Sequence, residues 1–87
     1  MMDYEYMFAM TLQQKMRERV IGKIFCAVRD DILYVKIESR GNLTFEIEFD
    51  NFSERFLNGF STDYAMYEVL RKYERFIRNR YFIKDSA

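Results

Sequence analysis

The chain contains no proline, no histidine and no tryptophan, a single cysteine and three glycines. Each shortage removes a class of function. Without histidine, the commonest general base and metal ligand is missing. One cysteine, Cys26, permits neither an intrachain disulfide nor a cysteine-rich metal site. Gly22, Gly41 and Gly59 are too scattered to form a phosphate-cradling loop. With no Pro-rich linker and no break in composition, residues 1–87 are expected to form a single domain. No apolar run approaches the ~18 residues of a membrane span. The first residues carry Asp3 and Glu5 where a leader would be basic, so the expectation is a cytoplasmic protein. Together these shortages point away from an enzyme, and no cofactor or metal is expected.

What the chain does have is apolar and aromatic surface. Hydrophobic residues make up 49% and aromatics 18%, with nine Phe and seven Tyr, enough for a packed core and against disorder. A chain of this length buries only roughly 60–65% of its unfolded surface, so some aromatics are left for a surface or an oligomer seam. The formal charge of zero is unevenly spread. Residues 1–29 carry five basic and three acidic side chains, 30–63 three basic and eight acidic, and 64–87 six basic and three acidic. An acidic middle and a basic end bear on partners rather than on fold.

Periodicity divides the chain. Over about 3–20, Phe8, Ala9, Leu12, Met16 and Val20 fall on one face of a helix, away from Gln14, Arg17 and Glu18. Asp3 is placed to cap its start and Gly22 to end it. The methionines of this segment serve either as flexible core filler or as an adaptable binding surface. From Lys23 the period is two. A two-residue loop at Asp30-Asp31 sets Val28 against Leu33, Cys26 against Val35 and Ile24 against Ile37. A three-residue loop, Arg40-Gly41-Asn42, then brings Phe45 to the face of Ile37 and Lys36 opposite Glu46. The result is a three-stranded antiparallel meander over about 23–29, 32–39 and 43–50, with ten apolar residues on its inner face. Phe25, Tyr34, Lys36, Glu38, Glu46 and Glu48 lie on the outer face. Such an inner face needs helices laid across it, so the expected class is α+β.

A short helical turn is expected at about 53–58, with Ser53 as N-cap, Phe52 and Leu57 as a hydrophobic staple and Gly59 as its end. A long helix follows over about 62–79, capped by Ser61 or Thr62, with Asp63 in its first turn. Its apolar stripe is Met66, Val69, Leu70, Tyr73, Phe76 and Ile77. Continuing it would put Arg80 into that stripe, so the helix is expected to stop near Asn79, with Arg80-Tyr81-Phe82-Ile83 as a separate tail.

The run DDILYVKIES, followed by FEIEFDNFSERFLNGFSTDYAMYEVLRKYERFI, resembles short proteins of phages and integrative elements of Gram-positive gut bacteria. The resemblance covers roughly residues 30–83, and its motifs are turns and caps rather than chemistry. The order helix, three strands, helix is also similar in layout to some small anti-CRISPR inhibitors. No functional motif is shared with those, so no site residue is carried over.

Three surfaces are candidates. Glu46 and Glu48 share a strand face, where they are either a carboxylate pair with catalytic or metal-binding use or solubilising groups on an exposed strand. With Phe25, Tyr34, Lys36 and Glu38 they make an aromatic patch in a polar rim, which suits a protein partner, or else a sheet face with two tolerated aromatics. On the long helix, Arg71, Lys72, Arg75 and Arg78, joined by Arg80 and Lys84, suit phosphates, with Tyr81 and Phe82 for base stacking, or else form a solvated face. Cys26 alternates into the inner face, where a thiol behaves as a small hydrophobe. The expectation is a small non-enzymatic protein-binding module, in the sense of the resemblance an inhibitor of a nucleic-acid-guided host defence nuclease by steric or DNA-mimicking occupancy. The alternatives are a nucleic-acid-binding accessory protein using the basic helix, or a self-associating structural protein forming a homodimer.

Overall fold

A computed structural model describes residues 3–39 and 41–85, the last six of these by backbone alone. Helix α1 spans Tyr4–Arg17, strands β1, β2 and β3 span Lys23–Arg29, Ile32–Ser39 and Leu43–Phe49, and helices α2 and α3 span Phe52–Leu57 and Thr62–Asp85. The strands form one antiparallel sheet in the order β1-β2-β3, and the class is α+β. The expected pairings are all present: Val28 with Leu33, Cys26 with Val35, Ile24 with Ile37, Ile37 with Phe45, and Lys36 with Glu46.

The hairpin turns work without the favoured Asn-Gly or Asp-Gly. Asp30 and Asp31 both take positive φ, 50° and 63°, as a two-residue type I′ connection requires. Aspartate and asparagine tolerate this region better than other side chains, and every non-glycine residue found there (Asp30, Asp31, Asn42, Asn51) is one of the two. Arg40, the first residue of the expected β2–β3 loop, lies outside the described residues, as do Met1 and Met2. Gly41 and Asn42 complete that loop at φ 83° and 62°.

The inner face of the sheet is covered as its apolarity demands. Phe8, Ala9, Leu12 and Met16 of α1 are buried with Ile24, Cys26, Leu33, Val35, Ile37 and Phe49 of the sheet and Ala65 and Val69 of α3. Val28, Phe45 and Ile47 are partly covered. Helix α3 closes the β3 side, with the Phe45 ring 5.6 Å from Tyr73 and 5.3 Å from Phe76. Phe52 and Phe60 both pack against Phe8, at ring distances of 4.9 and 5.7 Å, and so anchor α2 to the core. The lysine in the last turn of α1 reaches the start of α3: Lys15 Nζ donates to Thr62 Oγ1 and lies 2.7 Å from Asp63 Oδ1.

Four expectations need correction. Gly22 does not end α1, which closes at Glu18. Instead Gly22 lies against β2, where an added Cβ would sit 2.6 Å from the Glu38 carbonyl oxygen, at φ 145°. Ser53 is not the N-cap of α2 but its second residue, and the N-cap is Asn51, whose side chain makes no capping bond. The cap comes from the hairpin: Asp31 Oδ1 accepts from the Ser53 N–H at 2.7 Å, and the Asp31 carbonyl accepts from the Phe52 N–H at 2.8 Å. Leu57 is 83% exposed, so it staples nothing. With Asn51 as N-cap the two staple positions are those of Asp50 and Arg55, and an ion pair at 2.8 Å occupies them. Finally, α3 continues six residues past Asn79, to Asp85. A residue that breaks an apolar stripe stops a helix only where the stripe faces a surface, and 24 helical residues, about 36 Å, outrun the seven- and eight-residue strands beneath.

Candidate functional site

The outer sheet face is built by the same alternation that fills the core. Register places its residues in rows across the three strands: Lys23, Glu38 and Thr44, then Phe25, Lys36 and Glu46, then Ala27, Tyr34 and Glu48. Phe25 is 50% exposed and Tyr34 36%, and they are diagonal neighbours. Among the described residues no helix covers this face.

Its charges are segregated by strand. Lys23 and Arg29 lie on β1, Lys36 and Glu38 together in the middle, and Glu46 and Glu48 on β3. Although Lys36 stands opposite Glu46, its ammonium pairs along its own strand, 3.2 Å from Glu38 Oε1, and lies 5.9 Å from the Phe25 ring centroid. Among the described residues Glu46 and Glu48 therefore have no ion-pair partner. With three basic and three acidic side chains, counting Arg29, the face as a whole is balanced rather than acidic.

The second candidate, the basic face of α3, is brought together only in part. Arg71, Lys72, Arg75 and Arg78 are all exposed. Two of the arginines are engaged within the helix, Arg71 with Glu68 at 3.9 Å and Arg78 with Glu74. Continuation of the helix turns Arg80 about 180° away from Arg71, so its position does not join the arginine line. The side chains of Arg80, Tyr81, Phe82 and Lys84 lie outside the described residues. Two aromatics that periodicity alone did not single out do share the arginine face: Tyr64, 56% exposed, and Tyr67, 65% exposed. Their i, i+3, i+7 spacing to Arg71 was the available signal.

Cys26 is buried, and burial pushes its thiol up to about 12, against a smaller lowering by Arg17. A thiol in that state supplies almost no thiolate near neutral pH. Its backbone N–H, which points away from β2, donates to Gln13 Oε1 at 3.0 Å. Among the described residues no three acidic or cysteine side chains gather as a metal site would require, and no helix is long and apolar enough to cross a membrane. Comparison with protein families, characterised proteins and solved structures finds no match.

Proposed function

We propose that the chain is a protein-binding module whose working surface is the outer sheet face, with Phe25 and Tyr34 as anchors and Lys36, Glu38, Glu46 and Glu48 as the polar rim. The observation that carries this is the meeting of two exposed aromatics with two carboxylates that no described residue pairs with, on a sheet face that no described helix covers. Aromatic anchors within a polar rim are how interfaces concentrate binding energy. In its most specific form the partner is a nucleic-acid-guided nuclease of a host defence system. The balanced charge of the face favours steric occupancy of such a partner over imitation of a nucleic acid. Capture of candidate nucleases by the immobilised protein tests the reading, with Phe25→Ala and Tyr34→Ala as controls. Retention equal to the parent in both variants would remove this face from consideration.

A second reading has one observation in its favour, the alignment of Tyr64 and Tyr67 with Arg71, Arg75 and Arg78 on α3. Aromatic and cationic side chains along one ridge suit single-stranded nucleic acid. Reversing Arg71, Arg75 and Arg78 to Glu should then abolish a salt-sensitive affinity for an oligonucleotide, and affinity indifferent to salt and to the reversal excludes it.

A further inference from the structure

The two edges of the sheet are not equivalent. In an antiparallel ladder, alternate residues of an edge strand turn their N–H and C=O groups outward. On β1 these are Ile24, Cys26 and Val28, and the central one is blocked, because Gln13 of α1 accepts its N–H. On β3 the outward residues are Thr44, Glu46 and Glu48, since Phe45, Ile47 and Phe49 pair with Ile37, Val35 and Leu33. No hydrogen bond from a described residue meets the edge groups of these three. Strand β3 is seven residues long, with its outer side chains exposed and Phe45 and Ile47 only partly covered on the inner side. An uncovered edge of this length is a template for another strand.

Charge decides what that strand can be. Full-length antiparallel pairing of β3 with a second copy sets Glu46 against Glu46 and Thr44 against Glu48, and like charges directly opposed are destabilising. A segment with Lys or Arg at alternate positions would instead meet Glu46 and Glu48, which no described cation engages. Its intervening apolar residues would extend the inner face beside Phe45 and Ile47. We infer that the free edge of β3 is a strand-addition site for an extended cationic segment of a partner protein, apolar at the alternate positions. This rests on the reading of the chain as a protein-binding module, and gives that module the chemistry of its partner. Main-chain hydrogen bonds supply affinity in such complexes, and alternate side chains supply selectivity.

The probe is a capped nine-residue peptide alternating lysine and valine, titrated into the whole protein while amide exchange is followed by NMR. Binding should slow exchange at Thr44, Glu46 and Glu48 at least tenfold and leave Ile24 and Val28 unchanged. Thr44→Pro removes an outward N–H without breaking a β2 bond and keeps both carboxylates, so it should abolish this protection. Glu46→Gln with Glu48→Gln should weaken the peptide roughly tenfold, as two lost cross-strand charge pairs would. The same peptide N-methylated at its lysines, whose N–H groups would face β3, should not bind, which keeps the test decisive even where Thr44→Pro fails to fold. Equal binding of the N-methylated peptide or of a glutamate–valine counterpart overturns the inference. So does a dimer of the free protein that Thr44→Pro dissociates, since the edge would then belong to a second copy. If the peptide fails while partner capture persists and is lost in Phe25→Ala, the edge is excluded and the outer face stands. Should capture persist and be indifferent to Phe25 and Tyr34, the outer face falls as well, and no capture at all removes the binding-module reading itself.

Discussion

Asp31 holds two parts of the molecule at once, and its substitution separates two energies that are usually confounded. It sits at φ 63° in the β1–β2 turn, and its carboxylate accepts from the Ser53 N–H at 2.7 Å. Replacing a capping side chain by alanine costs about 1 kcal/mol. Placing a residue with a Cβ but no local polar group in the left-handed region costs about another 1 kcal/mol. Asp31→Ala should therefore lose about 2 kcal/mol, a large share of the roughly 4–13 kcal/mol available to a domain of this size. Asp31→Gly relieves the backbone but loses the cap, for about 1 kcal/mol. Asp31→Asn keeps an oxygen acceptor and tolerates the conformation, giving up only charge against the helix dipole, about 0.5 kcal/mol. Thermal unfolding followed by circular dichroism resolves these, since 1 kcal/mol moves the midpoint of a domain this small by about 4–8 °C. The order Asn, Gly, Ala, from mildest to most severe, is the expected outcome, with faster amide exchange at Ser53 in the last two. If Asn is as damaging as Ala, the cap does not work through its acceptor oxygen and the account is wrong.

Gly22→Ala should destabilise by about 2 kcal/mol or more, because φ is 145° and the added methyl would meet the Glu38 carbonyl at 2.6 Å; an unchanged urea midpoint refutes the close approach. Phe52→Ala, at a fully buried ring, should cost about 3–5 kcal/mol, and loss of α2 without general unfolding, seen by NMR, would show that Phe52 anchors only its own helix. Cys26 has a thiol held up to about 12 by burial, from an ordinary 9.0. A raised folded value means its contribution is fully present below about pH 9 and fades as pH rises toward 12, by ~1.4 kcal/mol per pH unit. Cys26→Ala should flatten that alkaline decline in unfolding free energy, and parallel pH profiles for the two proteins contradict the assignment.

The parts of the fold legible in the sequence are those fixed by neighbours along the chain. Alternation and loop parity determine the whole sheet register, because a slip of one residue at Asp30-Asp31 would turn Ile24, Cys26 and Val28 to solvent. The stripe from Met66 to Ile77 likewise commits α3 to the core. What escaped is long-range or steric. Ser53 looks like a capping residue, and nothing local says that an aspartate 22 positions earlier takes that role. Gly22 follows a helix and so looks like a helix end, whereas the constraint is a carbonyl on the adjacent strand. The stop expected at Asn79 assumed a facing surface, which a helix longer than its sheet does not have.

The candidate site shows a different kind of gap. Counted along the chain, residues 30–63 form an acidic block, but folding distributes those charges among separate tasks. Asp31 caps α2, Glu38 pairs with Lys36, Asp50 with Arg55 and Asp63 with Lys15. The basic block is thinned in the same way where Glu68 and Glu74 engage Arg71 and Arg78. The block totals already include all of these pairs but Lys15–Asp63, so what folding changes is less the asymmetry than where its unpaired charges lie. Four carboxylates of the acidic block are left over among the described residues, Asp30, Glu46, Glu48 and Glu54, and two of them, Glu46 and Glu48, share the outer rim of an edge strand. Opposition across strands could be read from the register, but the choice of Lys36 between Glu46 opposite and Glu38 along its own strand could not. That choice leaves β3 as the acidic edge of a face whose charges balance only as a whole, and it is the ground on which a cationic strand, rather than a nucleic-acid groove, is proposed as its complement.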